Sequence, residues 1–267
     1  MDEKKIQVHV PYPVLLERLQ DILEMGINPE VYMDGRFLDE ADAKDLRAIR
    51  EQFAKRSLRV TMHGPYIDMN PGSADEKQRL STAERYGRVF EVASELRPVN
   101  VVLHAGYSER RYRGDFGLWL EQSLKTWPRF VKEAERQDTV IAAENIFEKT
   151  PDTLKMLAAR IDSPNFRLCI DSGHLRIFSK VEMEEWFREL GPFIAEVHLH
   201  DNFGKNDDHL PVGEGSVDFA SFFRHLKAYS KDPVYTIEPH GEGMIERSLR
   251  AVRKFLGGER SGGLSAD

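Results

Sequence analysis

The sequence predicts an α/β chain wound as a single (β/α)8 barrel, and three observations predict it. Short runs rich in β-branched residues alternate with longer amphipathic stretches along the chain. Eight such runs occur, each followed by a helical stretch, in 267 residues, which is the size and order of such a barrel. Several runs, VNVVLHA and TVIAAEN among them, are nearly continuous in apolar residues, as parallel strands buried on both faces require. An open doubly wound sheet is the alternative with the same alternation. Strand count and chain length favour the barrel.

The first strand is expected over residues 6–10, followed by a helix in VLLERLQDILEMG that Gly26 terminates. Strands over 29–33 and 58–62 come next. The long stretch EKQRLSTAERYGRVFEVASEL then places apolar residues at helical spacing. Strands follow over 99–103 and 139–143. Thr150-Pro151-Asp152 sets a proline at the first turn of the next helix. Strands over 166–170 and 194–199 lead to Ser216-Val217-Asp218, which opens the helix in VDFASFFRHLKAYS. A strand over 234–237 closes the set. Residues 1–257 are expected to form one domain, and residues 258–267, which lack apolar periodicity, a flexible tail.

Composition narrows the function classes. Lys and Arg total 38 against 45 Asp and Glu, a net charge of −7, which argues against a protein that grips nucleic acid by its phosphates. Cys169 is the single cysteine, so a disulfide scaffold and a four-thiolate zinc site are excluded. No apolar run reaches the ~18 residues of a membrane helix. The opening MDEKKIQVHV carries charges of both signs and no signal-length apolar segment. A cytoplasmic protein is expected.

In a barrel of this kind, chemistry gathers at the C-terminal ends of the strands. His63 follows the third strand in TMHGPY and His104 the fourth in VVLHAG. Glu144 ends the fifth in AAEN; Asp171 ends the sixth in CIDSGH, with His174 three residues on. His198 and His200 end the seventh in VHLHDN, and Glu238 the eighth in TIEPH. Imidazole and carboxylate without thiolate suit a catalytic divalent-metal site at that rim, whether zinc, manganese or iron. His198 and His200, two apart in a strand, face the same way, and spacing does not choose between them. Taken singly, each of these residues has a bland reading. A lone histidine after a strand is usually a hydrogen-bonded rim residue, and Asp171 before SGHL can cap a helix. His9 and His240 are expected to be non-ligands, His225 structural or exposed, and Cys169 a buried apolar residue. The loop HDNFGKNDDHLPVGEGS carries Asp207, Asp208, His209, Gly213 and Gly215. Its glycines suggest phosphate cradling only weakly, because the rest of a nucleotide fingerprint is missing.

These segments resemble the xylose isomerase-like TIM barrel superfamily, and within it the endonuclease IV branch, the family 2 apurinic endonucleases. HGPYIDMN resembles that branch's H-x-P-Y segment, CIDSGH its C-x-D-T-x-H segment, and HLHDNFGKNDDHLPVGEG its H-L-N-D…D-x-H segment. The resemblance implies up to three Zn2+ ions, or Mn2+ or another divalent ion. One would take His63, His104 and a bridging Glu144; the second Glu144, Asp171, His198 and Glu238; the third His174, Asp207 and His209. It thereby selects His198 over His200. Tyr66 matches the branch's phosphate-proximal tyrosine.

The main expectation is a metal-dependent phosphoester hydrolase, with Glu144 and Glu238 catalytic. The metal would lower the pKa of bound water. Arg110, Arg111 and Arg113 would clamp a substrate phosphate, their bland reading being a solvated basic loop. The resemblance departs at His200, where the branch has asparagine, and in acidic loops. The expected substrate is therefore a small phosphodiester or phosphate ester rather than DNA. The alternative is a sugar or sugar-phosphate isomerase or epimerase, with one divalent ion on Glu144, Asp171, His198 and Glu238, and the two glutamates exchanging a proton. A non-catalytic metal- or ligand-binding barrel is the third reading.

Overall fold

The computed structural model describes residues 5–257; the tail expected from residue 258 lies outside the described residues. Eight parallel strands close into a barrel in sequential order, each hydrogen-bonded to the next and the eighth to the first. They are β1 (Ile6–Pro11), β2 (Asn28–Tyr32), β3 (Thr61–His63), β4 (Asn100–His104), β5 (Val140–Glu144), β6 (Phe166–Asp171), β7 (Ile194–Leu199) and β8 (Val234–Ile237). The barrel, rather than the open sheet, is therefore the fold.

Twelve α-helices surround it among the described residues. The helix expected in residues 14–26 is two, α1 (Tyr12–Glu17) and α2 (Leu19–Glu24), because Arg18 leaves helical geometry at φ −110°, ψ 19°. Then come α3 (Gly35–Glu40), α4 (Ala43–Lys55), α5 (Glu76–Leu96), α6 (Glu109–Tyr112), α7 (Phe116–Gln137) and α8 (Asp152–Ile161). The last four are α9 (Ser172–Phe178), α10 (Met183–Leu190), α11 (Phe219–Tyr229) and α12 (Glu242–Gly257). Pro151 sits one residue earlier than expected, at the N-cap of α8. Asp34, Asp42, Asp75, Asp115, Asp171 and Asp218 each cap a helix by accepting backbone N–H groups, a contribution of about 1 kcal/mol apiece.

β3 is shorter than expected. Residues 57–59 belong to the exit from α4: Ser57 adopts φ +57° and the Leu58 N–H returns to the Phe53 carbonyl.

The main apolar core lies between strands and helices, where Val31, Met62, Leu103, Ile141, Leu168, Val197 and Ile237 meet Phe53, Tyr86, Trp127, Trp186 and Phe222. The barrel interior is different. Val102, Ala142 and Cys169 form a separate small apolar cluster. Near it, buried Gln7, Thr61, Asn100, Glu196 and Thr236 are hydrogen-bonded to one another. Glu196 accepts from the Gln7 and Asn100 amides at 2.8 and 2.9 Å and from the Thr236 hydroxyl at 2.5 Å. Burial lifts its carboxyl to about 7, and the three donors satisfy what would otherwise be a costly buried group.

Candidate metal centre

Strand register carries the rim residues to one mouth. Tyr32 pairs with His63, His104 with Glu144, and Asp171 with His198 across neighbouring strands. Glu144 lies at the centre. Its Oε2 is 3.2 Å from both His63 Nε2 and His104 Nε2, and its Oε1 is 3.4 Å from His174 Nδ1 and 3.5 Å from His198 Nδ1. Glu238 approaches from β8, with Oε1 3.1 Å from the same His198 Nδ1. Asp171 caps α9 by accepting the His174 N–H at 2.6 Å while its other oxygen lies 3.0 Å from His200 Nε2. The capping role and the cluster role coexist in one carboxylate.

Asp207 is the loop acid that joins the cluster. It lies 3.4 Å from His174 Nε2 and 3.2 Å from His209 Nε2. All nine residues expected as ligands therefore converge.

Backbone carbonyls set the imidazoles. His63 Nδ1 donates to the Gly64 carbonyl at 2.7 Å, His174 Nδ1 to that of Asn145 at 2.9 Å, and His209 Nδ1 to that of Glu238 at 3.1 Å. Each such bond turns Nε2 towards the carboxylates, the outer-shell support that metal-binding histidines use.

The site is electrostatically tense. Burial alone would raise the Glu144 and Glu238 carboxyls, but the adjacent imidazoles, His198 foremost, hold both well below the ordinary range. Burial disfavours charge on His63, yet the Glu144 bond and the Glu30 and Glu144 charges lift it to about 9. Against the same burial, His174 is raised well above its ordinary value by Asp171, Asp207 and Glu144, and His198 by Cys169, Glu238, Glu30 and Glu144. His104 goes the other way, because its desolvation outweighs Glu144.

The residues fit a divalent cation. Donor atoms of His63, His104 and Glu144 lie within 4.8 Å of one another, as do those of His63, His198 and Glu238 and of Asp171, His174 and His200. Asp171 Oδ2 and His198 Nδ1 are buried and make no well-formed hydrogen bond although His200 Nε2 and Glu238 Oε1 lie 3.0 and 3.1 Å away, which is the condition of a ligand atom rather than of a satisfied polar core.

Several assignments differ from the sequence reading. His200 is in the cluster alongside His198, so the geometry does not exclude it as the resemblance did. His200 stacks face to face on His209 at 3.8 Å, and His209 on His240 at 4.0 Å. His9, expected outside, has its Nδ1 3.2 Å from Glu30 and 3.5 Å from Glu238. Glu30 was missed altogether. It is fully buried on β2, 3.2 Å from His198 Nε2. Burial opposes its charge, but His198 and His9 bring its carboxyl down to about 2. The one signal for it was a lone acid inside the run NPEVYM. His225 sits on α11 against Phe187 and Tyr229, and Cys169 is buried, both as expected.

The glycine-rich loop cradles an anion, but the anion is the protein's own. Asp201 is fully buried and accepts the N–H groups of Asn202 and Val217 on Oδ1 and of Gly213 and Gly215 on Oδ2, at 2.8–3.1 Å. This knot pins the segment bearing Asp207 and His209.

Tyr66 is at the mouth, stacked on His104 at 5.1 Å. The three arginines are not at the cluster. Arg110 and Arg113 line a pocket to one side, and Arg111, together with Arg113 again, lines another with Ser73 and Asp75.

Among curated relatives, an uncharacterized protein of Methanocaldococcus jannaschii is 30% identical over 85% of this chain and 79% of its own length. A probable endonuclease 4 of Nitratidesulfovibrio vulgaris is 23% identical over 80% and 84%. A solved structure described as a D-tagatose 3-epimerase-like protein superposes with a TM-score of 0.80 at 26% identity, covering 94% of this chain and 97% of that one. A Thermus thermophilus protein solved after soaking with ZnCl2 gives a TM-score of 0.78 at 23% identity over 95% and 98%; at that identity the likeness concerns the fold. The model of the xylose isomerase-like TIM barrel family matches residues 22–255, and the chain belongs to that family.

Proposed function

We propose that this chain is a divalent-metal-dependent isomerase or epimerase acting on a sugar or sugar derivative. One observation carries the reading: Glu144 at the end of β5 and Glu238 just after β8, both buried, converge on the same imidazole nitrogen, His198 Nδ1, at 3.5 and 3.1 Å. Two carboxylates that face each other across one small space form an acid–base pair for moving a proton on and off carbon. The likeness to a D-tagatose 3-epimerase-like structure supports the same class. It favours this alternative over the hydrolase that the sequence put first.

Glu144, Asp171, Glu238 and a histidine of β7 would hold the ion. Once bound, the ion supplies Lewis-acid polarisation of neighbouring substrate oxygens. One glutamate would take the proton on the carbon beside the carbonyl through an oxygen that the ion does not hold. The opposite glutamate, having taken a proton from solvent, would deliver it to the other face of that carbon, inverting it; in an isomerisation the abstracted proton would instead go to the former carbonyl carbon while the neighbouring hydroxyl proton passes to the carbonyl oxygen. Tyr66 and His104 wall the mouth, and the stacked His200, His209 and His240 line the other side.

A hydrolase remains the second reading because His174, Asp207 and His209 form a further donor group beyond the four-residue core. The test is washout of carbon-bound deuterium from a labelled ketose panel, run beside hydrolysis of bis-p-nitrophenyl phosphate, with three ions per chain expected of the hydrolase and one of the isomerase. Glu144→Gln and Glu238→Gln should each lower exchange by about 10²–10⁴-fold. His209→Ala should leave exchange largely intact. Turnover of the phosphodiester alone, abolished by His209→Ala, would overturn the proposal.

A further inference from the structure

Beside the mouth, and outside the metal centre, lies an open pocket of about 650 Å³. Arg110 and Arg113 face it from α6 and its end, and Lys149 from the loop after β5. Phe147 and Phe178 supply an aromatic wall, their rings edge to face at 5.2 Å. Glu109 is the one acid on the lining and is paired with Lys149. Among the described residues neither arginine has a carboxylate partner. Three cations against one anion leave the pocket at +2 in a molecule whose net charge is −7. Unpaired guanidinium groups held at one small pocket of an acidic protein mark a place for an anion from outside.

The pocket is contiguous with the chemistry. Phe178 closes α9, whose first turn carries His174, and the two rings are 6.4 Å apart. Phe147 and Lys149 lie three and five residues beyond Glu144 on the same strand-end loop. Arg113 is held at φ +51°, a left-handed conformation that a non-glycine residue adopts at a cost.

We propose that this pocket receives a phosphate monoester at the far end of the substrate, so that the molecule acted on is a sugar phosphate. The inference rests on reading the rim as a sugar site. Arg110 and Arg113 offer planar donor forks to the phosphate oxygens, and Lys149 a point charge. Phe147 and Phe178 cover the carbon chain between phosphate and rim. Arg111, on the far side of α6, takes no part.

Calorimetric titration of the full chain with D-fructose 6-phosphate and with D-fructose tests it. The wild type should bind the phosphorylated sugar at least about tenfold more tightly. The preference should persist after EDTA treatment, because the pocket and not the rim supplies it. It should fall to about one in Arg110→Gln/Arg113→Gln, and survive Arg136→Gln at the opposite end of α7. Absence of measurable binding of D-fructose 6-phosphate, equal affinity for the two sugars, loss of the preference with EDTA, or its persistence in the double variant each overturns the pocket assignment. Turnover is read separately. A preference that tracks the arginines in a protein that exchanges no carbon-bound hydrogen would retain the pocket and remove the isomerase.

Discussion

Asp201→Asn is the sharpest probe of how the site is held. The wild-type carboxylate is buried and accepts four backbone N–H groups, two on each oxygen. Asparagine keeps the shape but replaces one oxygen with an amide donor, which then faces two backbone donors. Two backbone N–H groups lose their acceptor, either the buried pair of Asn202 and Val217 or the part-buried pair of Gly213 and Gly215, at about 1–3 kcal/mol each, so the change costs about 2–6 kcal/mol. That is a large part of a typical stability of about 5–15 kcal/mol. For a chain of this size the melting temperature should fall by roughly 4–24 °C. Relief comes most cheaply by opening the loop, because Asn202, Gly213, Gly215 and Val217 all lie on it. Hydrogen exchange should therefore accelerate across residues 202–217 and stay slow in β5 and β6. Asp207 and His209 ride on the opened segment, so donors around His174 should be lost before those around Glu144. A variant that melts within about 1 °C of wild type, with unchanged exchange in the loop, would show that the knot does not hold the segment.

Two further perturbations address neighbouring contacts. In Gly173→Ala the new Cβ would sit 2.0 Å from His200 Cε1, so the ring must leave its 3.0 Å approach to Asp171. We expect about 1–3 kcal/mol of destabilisation and a roughly 10–100-fold weaker affinity for Zn2+ or Mn2+ by calorimetry; unchanged affinity would count against a role for His200. Glu148, 3% exposed, has its carboxyl pushed up from 4.5 to about 7, chiefly by burial. The folded chain therefore favours its neutral form. The stabilisation it provides is complete below pH 4.5 and is lost as pH rises to about 7, about 3 kcal/mol in all. Glu148→Gln should flatten that part of the stability–pH curve, measured by urea denaturation at several pH values. An identical curve in the variant would mean that Glu148 titrates normally.

Much of the fold was legible because barrel strands leave a pattern. Their outward faces pack on helices, and the resulting β-branched runs are visible at every turn of the chain. Boundaries were less legible where local geometry overrides the pattern. Leu58 and Arg59 look like strand residues, yet the αL turn at Ser57 ties Leu58 to the end of α4. Arg18 lies inside an unbroken helical periodicity, and apolar spacing carries no record of its backbone turn.

The site was legible as a set and not as an arrangement. Strand ends converge in a closed barrel whatever their sequence, so six acids and imidazoles at consecutive ends had to meet. Which atoms meet is decided by register and by loop paths, and neither is written in residue spacing. His198 and His200 show this directly. An i, i+2 pair shares a face, and the structure brings both rings to carboxylates, one to Glu144 and Glu238 and the other to Asp171. Glu30 eluded the pattern for a related reason. Rim acids stand after strands, where solvent meets the barrel mouth, whereas Glu30 lies within β2 and is tolerated there only because His198 and His9 come from other strands to neutralise it. A donor set of Glu144, Asp171, Glu238 and a β7 histidine is compatible with either chemistry, so what separates them must lie outside it. The two candidates are Asp207 with His209 on the pinned loop and the cationic pocket beyond His174. They make opposite demands, since the first adds donors for further ions while the second binds a group that takes no part in the bond changes. Of the two, only the cationic pocket lets a phosphate be recognised without being hydrolysed.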